Sequence, residues 1–211
     1  MNPPQSAIEN SLVSATQAAH DPVYREALWV SVVFTGMVIA AALLEWLKSS
    51  HPIILGELLV LMETAAIYAR AALGSHLSRR DDALMEFLTG IILASLAILA
   101  VLSSLSLLII TPPAELNPPN FLKLFSLIVA IEFLSVFVLL EERPSTISLL
   151  ELFGPRIFAW FAHCALLVTG MFSILAPNAS IDAALGLCVA TLCMLSAANN
   201  IHSAVTRMAA E

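Results

Sequence analysis

Residues 83–110 read ALMEFLTGIILASLAILAVLSSLSLLII, and no charged side chain occurs between Phe87 and Ile110. A helix rises about 1.5 Å per residue, so about 20 apolar residues cross a hydrocarbon core of about 30 Å. A stretch this long and this apolar, closed by Thr111-Pro112-Pro113 and opened by Asp81-Asp82 as N-cap residues, predicts a membrane-spanning helix. Every backbone polar group inside a bilayer has to be paired within its own segment, which leaves the helix as the natural solution for an isolated run.

Working outward, five further runs have the same character. The expected spans are 27–47, 53–73, 83–110, 121–140, 156–175 and 181–205. The breaks between them carry turn residues: His51-Pro52, Asn117-Pro118-Pro119-Asn120, Glu141-Glu142-Arg143-Pro144 and Pro177-Asn178. An interfacial turn is expected over 147–153. The fold class is therefore all-α, a polytopic membrane protein built as a bundle of about six transmembrane helices. Residues 25–207 form that domain, 1–24 a polar tail or an interfacial helix (Ile8, Leu12, Ala15 and Ala19 recur at helical spacing), and 208–211 a short tail.

Composition agrees. Of 211 residues, 59% are hydrophobic and 12% charged, about half the charge a soluble domain carries. A net charge of −7 offers no basic footprint, so nucleic acid is not an expected partner. The bilayer is, together with a second copy or a larger membrane complex. Cys164, Cys188 and Cys193 sit in apolar runs without a Cys-x-x-Cys pair, and are expected as small buried hydrophobes.

Basic residues near the span ends set the orientation. One side collects Arg25, Arg79, Arg80, Arg143, Arg156 and Arg207, the other only Lys48 and Lys123, which predicts both termini in the cytoplasm (N-in, C-in) of a multi-pass cell membrane of the bacterial inner-membrane kind.

Ionisable groups within spans are costly and are the candidate functional residues. The second span carries Glu57, Glu63 and Arg70, and Glu132 lies in the middle of the fourth. Glu63 and Arg70 share a helix face, but about 10 Å of axial rise separates them, so each needs a partner elsewhere. Glu132 is the expected partner of Arg70, giving a candidate polar network of Glu57, Glu63, Arg70 and Glu132. It reads either as a proton or cation relay or as ion pairs holding the bundle in register. His163, His202 and Asp182 are weaker candidates. The two histidines lie near the same expected inner end, the arrangement a bis-His haem would use. Small residues at Gly170–Ser173 and Gly186–Ala190 suit close packing of the fifth and sixth spans. No nucleotide loop, nucleophile elbow or metalloprotease motif occurs, so neither an enzyme activity nor a resident cofactor or metal is expected.

Three local patterns carry a family likeness. Tyr24-Arg25-Glu26-Ala27-Leu28 opens the first span, with Glu45 late in it. Leu77-Ser78-Arg79-Arg80 is followed by Glu86 at the opening of the third, and Ile181-Asp182-Ala183-Ala184 starts a last span that runs to Arg207. With six spans, this layout resembles the membrane domain of the cation diffusion facilitator family. The resemblance implies a cation transporter whose metal ligands are pairs on helices two and five, each a His or Asp followed four residues later by Asp. Here Glu57 and Glu63 are followed at that distance by Leu61 and Ile67. His163 is preceded by Ala159 and followed by Leu167. No ligand set carries over, and only six residues follow Val205, where the family has a cytoplasmic domain. Three functions follow: a small transporter for a cation or protons; a non-transporting accessory or assembly subunit of a larger membrane complex; and a haem- or quinone-linked redox protein.

Overall fold

The computed structural model describes residues 21–74, 76–109, 118–144, 157–175 and 179–209. The expectations for residues 1–20, for 147–153 and for the turn at 177–178 lie outside them. Among the described residues there are six helices: α1 (Pro22–Ser49), α2 (Pro52–Leu73), α3 (Arg79–Ile109), α4 (Pro118–Glu141), α5 (Ile157–Leu175) and α6 (Ala179–Ala209). Five are long and apolar enough to cross a membrane, and α5 contributes a shorter apolar stretch, Ala159–Phe172. The chain is an all-α, multi-pass bundle.

Local chemistry sets the ends. Pro22 occupies the first turn of α1, where its missing N–H costs nothing, and Asp21 Oδ1 accepts the Val23 N–H at 3.0 Å. Ser50 closes α1 in the left-handed region (φ 56°), its N–H bonded to the Trp46 carbonyl, and Pro52 starts α2 two residues later. At the start of α3 the cap is Ser78, not the aspartates. Ser78 Oγ accepts the Asp81 N–H at 3.1 Å and donates to Asp81 Oδ2 at 2.7 Å. Asp82 is thereby released for contacts between helices.

The central element is α2. Its residues Ile53 to Leu61 are all buried, because α1, α3, α5 and α6 pack around it. Of its apolar stretch 67% is buried, against 22% for α3, whose main partner is α6. Outward faces carry Val33, Met37, Leu44, Leu88, Ile92, Ile98, Leu102, Phe133, Phe137, Phe172 and Leu195, all exposed. An exposed apolar surface distributed round the bundle suits lipid, since water would penalise it by about 25 cal/mol per Å².

Consecutive helices alternate in direction, and their ends form two layers. In one, which we call the basic end, Tyr24 and Leu28 of α1 pack with Tyr68 and Ala72 of α2 and Leu139 of α4. Arg25 Nη1 donates to His76 Nε2 at 3.1 Å there, and Asp82 and Arg207 meet. In the opposite layer the His51 ring lies tilted against Phe121, centroids 5.0 Å apart, and bonds Asp182. The start of α1 and the finish of α6 thus share the basic end.

Two sequence expectations are corrected by the packing. Gly170 and Gly186 do serve close approach, but not between α5 and α6. A Cβ at Gly170 would meet Leu122 and Phe121 of α4 at 3.1 and 3.3 Å, and one at Gly186 would meet Pro52 and the Ile53 nitrogen of α2 at 2.8 and 2.9 Å. Cys193 is buried as expected, whereas Cys164 and Cys188 are exposed. Their small apolar side chains sit on outward helix faces, where lipid serves as well as a core.

Candidate functional site

Counting from the His51–Phe121 layer at about 1.5 Å per residue orders the polar groups by depth. Glu57 lies about 9 Å in, Glu132 about 17 Å, Glu63 about 18 Å and Arg70 about 28 Å. Glu63 and Glu132 thus share a level near mid-depth on different helices, Glu57 lies shallower, and Arg70 lies about 10 Å deeper.

Glu57 meets His163 of α5. Glu57 Oε1 and His163 Nδ1 share a hydrogen bond, and the side chains are 0% and 2% exposed. Nδ1–H donates when the carboxyl is ionised, and the carboxyl O–H donates once the proton has crossed. Trp160, one turn earlier on α5, stands edge-on to the imidazole with ring centroids 5.9 Å apart. Glu132, buried on α4, lies within electrostatic range of His163, and Ser135, three residues on and on the same face, is also buried. Glu57 Oε2, His163 Nε2 and Ser135 Oγ find no hydrogen-bond partner among the described residues. A buried polar atom in that condition costs about 1–3 kcal/mol, so the two within the Glu57–His163 pair are a concentration of unused hydrogen-bonding capacity.

Arg70 is paired with carboxylates of another helix, but the expected partner is corrected. Its guanidinium donates from Nε to Asp82 Oδ1 at 3.0 Å and from Nη2 to Asp82 Oδ2 at 3.1 Å and Glu86 Oε2 at 3.2 Å. Arg207 of α6 donates to Asp82 Oδ2 at 2.8 Å and also pairs with Glu86. Two arginines and two carboxylates thus clamp α2, α3 and α6 at the basic end. Glu132 lies about 12 Å shallower than Arg70, a gap no pairing bridges.

Asp182 has a structural task. Its Oδ2 meets His51 Nδ1 at 3.0 Å, and its Oδ1 accepts the Ile53 N–H at 3.3 Å. A carboxylate from α6 thereby satisfies a free donor at the N-terminus of α2, where the helix dipole favours negative charge. Sequence reading passed over His51. The available signal was that His51 and Asp182 open two adjacent helices at the same end.

His202 is exposed near the basic end, and its carbonyl accepts the Thr206 hydroxyl at 2.8 Å. Its level, about 30 Å from Asp182, is far from that of His163, so the histidines do not face one another. Among the described residues no group of three His, Cys, Asp or Glu side chains converges as a metal site. Glu63 accepts a hydrogen bond from Ser196 Oγ of α6. Cys193, one helix turn earlier, is within electrostatic range of both Glu57 and Glu63.

The chain matches no known family model and no curated protein.

Proposed function

We propose that this chain is a small proton-coupled membrane transporter of cations, with Glu57 and His163 as its proton-carrying pair and Glu132 as the next acidic group. The observation that carries the reading is the buried hydrogen bond between Glu57 and His163, with Glu57 Oε2 and His163 Nε2 meeting no hydrogen-bond partner among the described residues. A buried Glu–His pair shares a proton whose position responds to a nearby charge. Glu132 is such a charge, one layer deeper. The pair bridges helices two and five, the helices that hold the transported metal in the family the chain resembles. Arg70 takes no part, because the clamp at the basic end occupies it. Both termini are read as cytoplasmic, since Arg25, Arg79, Arg80, Arg143 and Arg207 outnumber Lys48 and Lys123 at the other end. A reporter after Glu211 active only outside the cell would overturn that.

The function is tested in proteoliposomes with a lumenal pH dye and imposed gradients of potassium, sodium or a divalent cation. Wild-type protein should show proton movement coupled to one of these gradients, and Glu57→Gln should lower it by about tenfold or more, in line with loss of a general acid–base group. Equal traces from wild type, variant and empty liposomes would refute transport. The alternative is an accessory subunit in which the pair fixes helix register. The unbroken burial of Ile53 to Leu61 favours it, and co-purification with a stable membrane partner would support it.

A further inference from the structure

Six buried serines and threonines occur among the described residues: Ser31, Thr35, Thr64, Ser104, Ser135 and Thr169. Four of them lie on three helix faces that meet. Ser31 and Thr35 continue the face of α1 that carries Leu28, and Thr64 the face of α2 that carries Tyr68. Ser135, with Glu132 before it, continues the face of α4 that carries Leu139. Leu28, Tyr68 and Leu139 pack in one cluster, so the hydroxyls line the seam that runs outward from it. Counted from the His51 layer, with Ser50 taken as level with it, Glu132 stands at about 17 Å, Thr64 at about 20 Å, Ser135 at about 21 Å, Thr35 at about 22 Å and Ser31 at about 28 Å. Three hydroxyls from three helices thus share one level. Ser31 Oγ donates to the Ala27 carbonyl at 3.0 Å, Thr35 Oγ1 to the Ser31 carbonyl at 2.8 Å and Thr64 Oγ1 to the Val60 carbonyl at 2.9 Å. Their hydrogens are spent on their own helices, while their lone pairs stay available. Ser135 Oγ, in a side chain that is 0% exposed, has no hydrogen-bond partner among the described residues. On the other side of the Glu57–His163 pair, Ile53, Ile54, Leu55 and Gly56 are buried and offer no polar side chain.

We infer that this seam is a water-holding path that links the Glu57–His163 pair to the basic end of the bundle, with Ser135 as its anchor. The path rests on the transporter reading of the pair and adds the side from which the pair exchanges its proton. A buried water needs about two to four polar partners. Ser135 can donate and accept, Thr35 and Thr64 accept on their lone pairs, and the Glu132 carboxylate accepts as well. Glu132, within electrostatic range of His163, joins the pair to the seam. Ser31, at about the level of Arg70, brings the seam to the edge of the basic layer. Along such a path the pair hands one proton to the nearest water, each oxygen passes on another, and one proton leaves at the basic end. Only O–H and N–H bonds form and break, so no co-reactant is required. Ile53 to Gly56 seal the outer side, so this conformation is open to protons from the basic end alone.

The experiment uses the full chain in phosphatidylcholine nanodiscs and X-ray radiolysis of water, which oxidises side chains that touch water. Leu61 and Leu93 form a matched pair, both leucines inside the bundle at 1% and 2% exposure. Only Leu61 stands one turn from Thr64 on its face of α2. Peptide mass spectrometry should show Leu61 oxidised faster than Leu93 by about fivefold or more. Ser135→Ala and Thr64→Val remove hydroxyls at nearly constant volume, and together should bring Leu61 down to the Leu93 rate. The Leu93 rate also reports folding, and either single variant carries the test if the double one unfolds. Equal rates for Leu61 and Leu93 in wild-type protein, or a Leu61 rate that the variants leave unchanged, overturn the path. The same variants should slow proton movement in proteoliposomes by about fivefold or more. Labelling of Leu61 without proton movement in any liposome would uphold the water path and remove the transporter reading from it.

Discussion

Replacing His163 with Leu tests the buried pair directly. Both side chains are sealed from solvent, at 0% and 2% exposure, and His163→Leu would leave Glu57 Oε1 without its partner while Oε2 is already unmatched. Breaking one side of a buried pair costs about 3–5 kcal/mol. Glu57→Leu alone should cost a similar amount, because it strands His163 beside Glu132. Replacing both with leucine removes every stranded group and leaves apolar side chains in a packed core, a change that in other proteins is often neutral or stabilising. The double variant should therefore be more stable than either single one by about 2 kcal/mol, roughly a thirtyfold change in the unfolding equilibrium. Reversible unfolding by steric trapping in bicelles measures all four proteins. If the two single effects simply add, the side chains do not act as a pair and Glu57 and His163 share no relayed proton.

The basic-end clamp predicts that Arg70→Leu destabilises the bundle by about 3 kcal/mol, and that adding Glu132→Leu brings no recovery, since the partners are Asp82 and Glu86; recovery in the same unfolding assay would restore the Arg70–Glu132 pairing. Glycine positions should separate sharply. Gly186→Ala drives a Cβ to 2.8–2.9 Å from Pro52 and the Ile53 nitrogen and should cost about 1–3 kcal/mol, whereas Gly36→Ala meets nothing within 4 Å and should stabilise α1 by about 0.5–1 kcal/mol. Thermal melts in one detergent decide between them, and equal shifts would refute the close approach of α2 and α6.

Helix positions were legible because membrane spans announce themselves by length and by Pro-rich breaks. Residues 83–110, for example, became α3 with a start four residues earlier, since Ser78 outcompeted the aspartates as cap. The site was harder. Glu57, Glu63, Arg70 and Glu132 were picked out by the cost of charge in lipid, but that cost says nothing about who meets whom. Counting depth from the His51 and Phe121 turns would have excluded Arg70 with Glu132. It would not have found Glu57 with His163, because that contact depends on how far α5 is shifted along the bundle. The shift follows from Gly170 seating on Phe121 and Leu122, a packing fact that no periodicity reveals.

The burial of α2 on nearly every side has a consequence for how the chain is made. Glu57 leaves the ribosome 106 residues before His163, its eventual partner. At about 5–20 residues per second that is a wait of about 5–20 s. For the later part of it the second helix, with Glu57 and Glu63 in its first two thirds, has α1 and α3 beside it but neither α5 nor α6 to shelter it. Synthesis order thus obliges α2 to linger beside the insertion machinery, or to enter the bilayer with its carboxyl groups neutralised, until the later helices arrive and close around it.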